Sequence, residues 1–112
     1  MINVREYWLE RHKSLSKEAE ANRDSQSAAF ELLDVYDGLT QDQRVDVHTI
    51  LADWLVSDDN TLRYDAGFLI SQRRIRSMAG AVEKALAVAE SRPGIEASYE
   101  VKKFQRILDD LK

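Results

Sequence analysis

Apolar residues recur at helical spacing along almost the whole chain. Between residues 75 and 91, for example, Ile75, Met78, Ala79, Val82 and Leu86 follow the i, i+3, i+4, i+7 pattern that marks one face of a helix. No segment shows a credible alternation of apolar and polar residues, which is the signature of a half-buried strand. The sequence therefore predicts an all-α fold of about five to six helices, and the short links between them favour stacked antiparallel hairpins.

Polar residues, glycine and proline mark where these helices should end. The predicted helices span about residues 4–23, 28–37, 61–72, 75–91 and 97–111, and a further helix begins at Thr40 and ends before Ser57. Gly38 is expected to end the second helix by adopting the left-handed conformation. Thr40 and Gln43 have the spacing of a capping box, in which each side chain binds the main-chain amide of the other residue. In the last helix the predicted core positions are Val101, Phe104, Leu108 and Leu111.

The composition limits the class of protein. The chain has 112 residues, of which 44% are apolar and 32% are charged, and this length predicts one domain covering residues 1–112. It is too apolar for a disordered chain and too charged for a membrane protein. It contains no cysteine, which excludes a disulfide framework and a thiolate zinc site. Charges interrupt the first ten residues, so we expect no signal peptide, no membrane span and a cytoplasmic location.

The net charge of −4 is distributed unevenly. Between Glu31 and Asp59 there are eight acidic residues against a single Arg44. From residue 62 to residue 92 the balance reverses, with five arginines. Proteins that bind nucleic acid are usually basic overall, so the acidic balance argues against that class. The asymmetry permits charged partners without naming them.

The helix that begins at Thr40 separates an apolar face from an acidic one. At roughly 100° per residue, Asp42, Asp46 and Asp53 lie within about 40° of one another and about 120° from the apolar face. Like charges one turn apart cost a few tenths of a kcal/mol, so a sequence selected for stability alone would tend to intersperse lysines. Glu31 and Asp34, on the preceding helix, also point away from its apolar face. We predict that these five carboxylates form a docking surface for a basic partner; the alternative is an ordinary solvated face.

Two aromatic residues form a second candidate site. Tyr64 and Phe68 lie one turn apart, roughly opposite the apolar face of their predicted helix. They are candidate anchors for a protein interface, because aromatic residues are concentrated in binding hot spots. The alternative is that a central helix in a stack buries two faces. The arginines at 73, 74 and 76 follow on the same segment, where cations complement the end of a helix dipole, and this explanation is preferred to a phosphate contact.

Neither catalysis nor metal binding is predicted. His12 and His48 lie on different predicted helices, and no histidine pair has the spacing of a zinc protease. The segment at residues 58–60 lacks the glycine and the distal glutamate of a calcium loop. We therefore expect a protein that is not an enzyme and that needs no cofactor or metal. If it were an enzyme, His48 with Asp46 or Asp53 would be the first pair to test.

Five residues near the middle of the chain have a spacing found in helical repeats: Asp58, Leu62, Arg63, Ala66 and Ile70. This series resembles the start of the second helix in a HEAT-type repeat hairpin, where an acidic residue caps the helix and a small residue lets its paired helix approach. Residues 75–86 are similar to the first helix of the next repeat, although the proline common early in such repeats is absent. The resemblance covers about residues 40–89 and implies a HEAT-like α–α superhelix stub of two to three hairpins.

The chain also resembles small acidic bacterial immunity proteins, which bind and silence a partner toxin. The likeness lies in its size, in the segment from Trp54 to Asp59 and in the segment from Arg63 to Ala66. It implies a protein-binding module that blocks a cognate toxin, with the acidic helix face turned toward a basic toxin domain. The alternatives are an adaptor or assembly subunit without inhibitory action, and then a regulator that binds a small molecule or nucleic acid. The oligomeric state and the binding face remain open at this point.

Overall fold

The computed structural model describes residues 3–21 and 25–111. Within these residues there are six α-helices, one 3₁₀ turn and no strand, which confirms the predicted all-α class. The helices are α1 (Val4–Ala21), α2 (Ser25–Asp37), α3 (Gln41–Leu55), α4 (Asn60–Gln72), α5 (Ala79–Ser91) and α6 (Ile95–Leu111). Across the described residues, every helix is too short or too polar to span a membrane. The start of α2 falls inside the predicted break at residues 24–27, of which residue 24 lies outside the described residues.

The link between α4 and α5 differs from the single helix predicted over residues 75–91. Arg74 has a φ of 45°, in the left-handed region, and the Ile75 amide donates to the Ile70 carbonyl over 3.1 Å. This is the six-to-one hydrogen bond of a Schellman helix ending. The Met78 amide then donates to the Ile75 carbonyl over 2.9 Å and closes the 3₁₀ turn at Arg76–Met78. As a result, α5 begins only at Ala79.

A side chain, and not a left-handed glycine, helps to close the C-terminal end of α2. The helix ends at Asp37, directly before Gly38, as predicted. Among the described residues the glycine with a positive φ is Gly94, at 103°, so the left-handed conformation expected of Gly38 is wrong. Instead, Arg44 donates from Nε to the Tyr36 carbonyl over 3.2 Å and from a terminal nitrogen to the Asp37 carbonyl over 2.9 Å. Carbonyls in the last turn of a helix have no partner inside the helix. The guanidinium therefore adds to the main-chain hydrogen bonds that end α2, which run from the Gly38 amide to the Asp34 carbonyl and from the Leu39 amide to the Tyr36 carbonyl.

Two side-chain caps begin the next two helices. The predicted capping box before α3 is confirmed, because the Thr40 amide donates to Gln43 Oε1 over 2.9 Å and the Gln43 amide donates to Thr40 Oγ1 over 3.2 Å. At α4 the cap is Asp59, whose carboxylate accepts from the Thr61 amide over 2.8 Å. The HEAT-type resemblance placed this cap at Asp58, one residue too early. A cap of this kind stabilises a helix by about 1 kcal/mol.

Backbone contacts divide the chain into two units, Met1–Ile50 and Leu51–Lys112, with the boundary inside α3. In the first unit α1 packs against α2. The buried apolar side chains of this unit are Trp8, Leu15, Ala29, Leu32, Leu33, Tyr36, Val47 and Ile50. Trp8 is fully buried, whereas the neighbouring Tyr7 is 39% exposed. The single domain over residues 1–112 stays a prediction.

In the second unit α6 packs against both α4 and α5. The buried face of α6 consists of Ala97, Phe104, Ile107 and Leu111. The sequence pattern placed Val101 and Leu108 there, but both are only half-buried. Because α6 packs against two helices, the side that it buries differs from the one that the sequence pattern predicts. Ile107 is buried, and Leu108 is only half-buried.

Candidate functional site

The aspartates of α3 face solvent, as predicted. Asp42, Asp46 and Asp53 are exposed, whereas Val47 and Ile50 on the same helix are buried. Asp42 and Asp46 lie one turn apart, so like charges are neighbours on the exposed face. The first two aspartates belong to the first unit and Asp53 belongs to the second. Their exposure is settled, and their role in binding stays a prediction.

The first unit carries two further exposed carboxylates, Glu31 and Asp34 on α2. Within residues 3–21 and 25–111, neither of them forms an ion pair, and the same holds for Asp42 and Asp46. Arg44, which is the single lysine or arginine between residues 31 and 59, is engaged by main-chain carbonyls at the end of α2. These four carboxylates, hereafter the acidic rim, therefore keep their charge available to a cation from another molecule.

An open groove of about 570 Å³ lies in the first unit beside Asp34. Its apolar lining comes from Val4 and Tyr7 of α1, from Val35 of α2 and from Leu39 just after α2. Val4, Val35 and Leu39 are half-buried, so each of them leaves apolar surface open to solvent. The volume lies within the range of clefts that take up a ligand. The groove thus combines an apolar lining with a carboxylate at its edge.

Hydrogen bonds hold the main chain that forms one wall of this groove. Gly38 and Gln43 also line it, and both are tied to their surroundings. The Gly38 amide donates to the Asp34 carbonyl over 3.2 Å, and Gln43 is held by its reciprocal bonds with Thr40. These bonds order the turn between α2 and α3. The apolar lining and the carboxylate are therefore presented from an ordered backbone.

A polar pair joins α2 to α3 in the same unit. The Tyr36 hydroxyl lies 2.8 Å from His48 Nε2, and the two rings stack with their centroids 5.9 Å apart. The Arg44 guanidinium lies 5.0 Å from the centroid of the Tyr36 ring. Burial lowers the pKa of His48, and the charge of Arg44 lowers it further. Burial also raises the pKa of Tyr36, so both residues favour the neutral forms that share this hydrogen bond.

This pair predicts a loss of stability as the pH falls below about 6.5, the ordinary pKa of a histidine. Below that pH the unfolded chain binds a proton at His48, whereas the folded protein, with its lowered pKa, does not, so acid favours unfolding. His48→Gln should flatten the dependence of the unfolding free energy on pH as the pH falls below about 6.5. Urea denaturation across this range measures the effect. Above about pH 7.5 the unfolding free energies of the wild type and of His48→Gln should depend on pH with the same slope. Equal slopes at lower pH would contradict the prediction.

The predicted aromatic pair is present on α4, in the second unit. The rings of Tyr64 and Phe68 stack with centroids 6.0 Å apart and planes 17° apart. Tyr64 is exposed and Phe68 is half-buried. Lys103 of α6 lies 4.8 Å from the centroid of the Tyr64 ring. This side of α4 is thus partly covered by α6, in line with the alternative that a central helix buries two faces. The role of Tyr64 and Phe68 in binding a partner stays a prediction.

Sequence reasoning missed an ion pair between a buried arginine and a half-buried glutamate in the second unit. Arg63 Nε lies 2.6 Å from Glu100 Oε1, and Arg63 also donates to the Ser57 carbonyl over 2.6 Å. Arg92 adds a longer contact of 3.8 Å to the same carboxylate. Arg63 and Glu100 are 37 positions apart, on different helices. No local spacing in the sequence could have indicated this pair.

The two histidines lie on different helices. His48 is engaged with Tyr36, and His12 is buried on α1. In the part of the chain that the structure describes, no group of three or more His, Cys, Asp or Glu side chains is placed to hold a metal ion.

Comparisons with protein-family models, with curated proteins and with solved structures returned no match to this chain. Function is therefore inferred from its own residues and their geometry.

Proposed function

We propose that this chain is a protein-binding module whose partner inserts an apolar side chain, flanked by basic residues, into the groove of the first unit. The groove is the observation that supports this most directly, because half-buried Val35 and Leu39 lie there beside the exposed carboxylate of Asp34. An apolar patch bordered by polar residues is the usual anatomy of a protein interface, and Asp34 is the member of the acidic rim that borders this groove.

The two kinds of surface would contribute differently to binding. Covering the apolar surface of Tyr7 and Leu39 would supply affinity, at roughly 25 cal/mol for each Å² removed from water. The acidic rim would attract lysine and arginine and would mainly raise the association rate. Because salt screens exposed charges, added salt should slow association more than it speeds dissociation.

The specific form that we propose is an immunity-type inhibitor, which covers the active site of a cognate toxin in the cytoplasm. Its support is the small size, the net charge of −4 and the resemblance around residues 54–66. The lack of cysteine suits a reducing compartment. An adaptor without inhibitory action would use the same groove, so the two forms differ only in what binding does to the partner.

Capture of partners from the native cell by three folded proteins tests the proposal. The proteins are the wild type, a rim variant (Glu31→Lys, Asp34→Lys, Asp46→Lys) and a matched variant with the same charge change at exposed residues of the second unit (Glu83→Lys, Glu90→Lys, Asp109→Lys). We expect the wild type and the matched variant to capture one basic protein. Surface plasmon resonance should show that the rim variant binds it at least roughly tenfold more weakly, mainly through slower association.

A fourth protein tests the groove apart from the charge. Leu39→Gln replaces an apolar side chain of the groove by a polar one and leaves every charge unchanged, and it should weaken binding mainly through faster dissociation. Binding that neither variant reduces would contradict the proposed site. Expressing the partner alone and together with this chain then separates the two forms. An immunity-type inhibitor restores growth of cells that the partner arrests, and an adaptor does not.

A further inference from the structure

A second cavity, of about 160 Å³, lies between α4 and α6 in the second unit. Tyr64 and Phe68 form an aromatic wall, and Gly67 and Ile107 also line it. A Cβ on Gly67 would lie 3.2 Å from Ile107 Cδ1, so the glycine allows the two helices to approach closely here. The cavity is therefore narrow and bounded largely by carbon.

The ionisable residues that line this cavity are two cations and one acid. Lys103 of α6 places its ammonium there, 3.6 Å from where a Cβ on Gly67 would lie, and Arg106 and Asp110 also line the cavity. The Ser71 hydroxyl lies 3.5 Å from Asp110 Oδ2. An anion in the cavity would be attracted toward Lys103 and Arg106 and repelled by Asp110.

Lys103 forms no ion pair within the described part of the chain. The Glu100 carboxylate, which stabilises its charge most, already binds Arg63 at 2.6 Å and faces Arg92 at 3.8 Å. The ammonium lies over the Tyr64 ring, which attracts a cation but accepts no full ionic hydrogen bond. Burial lowers the pKa of Lys103, and Glu100 offsets only part of that effect. A bound anion would stabilise the charged ammonium of Lys103 and so offset the hydration that it loses through burial.

We propose that this cavity binds a small aromatic carboxylate with a single ring. The ring would pack against Tyr64 and Phe68, and the carboxylate would pair with Lys103 and Arg106. A cavity of about 150 Å³ accommodates one benzene ring, which sets the size of the ligand. The site belongs to the second unit, so it does not depend on the function proposed for the groove of the first.

Titration with benzoate, followed through backbone amide NMR signals, tests this site. We expect saturable shifts among residues 64–72 and 103–110 of the wild type. Lys103→Met keeps an unbranched stem over Gly67 and removes the charge, so it should weaken benzoate binding at least roughly tenfold. Lys102→Met removes the same charge from the exposed neighbouring residue and should leave the affinity within about twofold.

Two further ligands are titrated into the wild-type protein alone, so they test the proposed site even if Lys103→Met does not fold. Benzamide keeps the ring without the charge, and inorganic phosphate keeps charge without the ring. Each should bind at least roughly tenfold more weakly than benzoate if both halves of the site contribute. Benzamide binding as tight as benzoate, unchanged benzoate binding by folded Lys103→Met, or the lack of a saturable shift in the wild type would each overturn the proposal.

Discussion

Replacing Arg63 by methionine should lower the free energy of unfolding by about 1.5–3 kcal/mol, because it removes charge-assisted hydrogen bonds and leaves the half-buried Glu100 carboxylate without its main partner. Arg63 is 7% exposed, and its guanidinium binds both Glu100 and the Ser57 carbonyl at 2.6 Å. Methionine is similar in size to arginine and is compatible with a helix. The loss of unfolding free energy therefore measures the contribution of the charge and its hydrogen bonds. Urea denaturation, followed by circular dichroism, gives the change as a shift of the midpoint at constant slope.

Two further proteins show whether this loss comes from the ion pair. Arg92→Met removes only the longer contacts to Asp58 and Glu100, at 3.5 and 3.8 Å, and should cost less than about 1 kcal/mol. The double variant Arg63→Met, Glu100→Leu removes both charges and should recover much of the stability lost in Arg63→Met. A loss below about 1 kcal/mol in Arg63→Met would contradict a stabilising ion pair.

Trp8→Ala should destabilise the protein by about 3–5 kcal/mol, the usual cost of truncating a large aromatic residue in a core. The side chain is fully buried and lies on α1, which packs against α2. Its removal takes away apolar contacts and leaves a cavity that neighbouring side chains fill only in part. Thermal and urea denaturation should both show the loss, and Trp54 remains as a fluorescent probe.

The next residue in the chain provides the control for Trp8. Tyr7 is also aromatic and also on α1, but it is 39% exposed. Tyr7→Ala should therefore cost less than about 1 kcal/mol. Similar losses in the two variants would show that α1 is not anchored through Trp8.

The existence and approximate limits of the helices could be predicted because helix formation depends on near neighbours. Spacing of apolar residues identified each helix, and the Thr40–Gln43 capping box marked the start of α3 within one residue. Such signals lie within one or two turns and do not need the rest of the protein. The exposure of Asp42, Asp46 and Asp53 followed from the same angular argument.

Two of the wrong predictions involve contacts with residues farther along the chain, and one involves a local backbone conformation that the sequence pattern did not indicate. Arg44 reaches back seven and eight positions to bind carbonyls at the end of α2, where a left-handed Gly38 was expected. The start of α5 was displaced because Arg74 adopts a left-handed conformation that a non-glycine residue rarely takes. In α6, packing against both α4 and α5 chose Ile107 as a core residue.

The candidate sites divide in the same way. The acidic residues and the aromatic pair could be identified in the sequence, because charge and residue type are visible there. The groove beside Asp34 could not, since its lining comes from α1, from α2 and from the turn that follows α2. Lys103, in the second cavity, was missed because nothing in the sequence distinguishes it from other lysines on a polar helix. Only its contact with Tyr64 of α4 sets it apart.

The sequence by itself determined the all-α class, the helix pattern, the acidic balance and the exposure of Asp42, Asp46 and Asp53. Only the tertiary structure decided which of these residues matter together: Asp34 with an apolar groove, Arg63 with Glu100, and Lys103 with Tyr64. The reason is physical. Helix signals act between residues three or four apart, whereas the dielectric environment and the partners of a charge depend on helices that are distant in the chain.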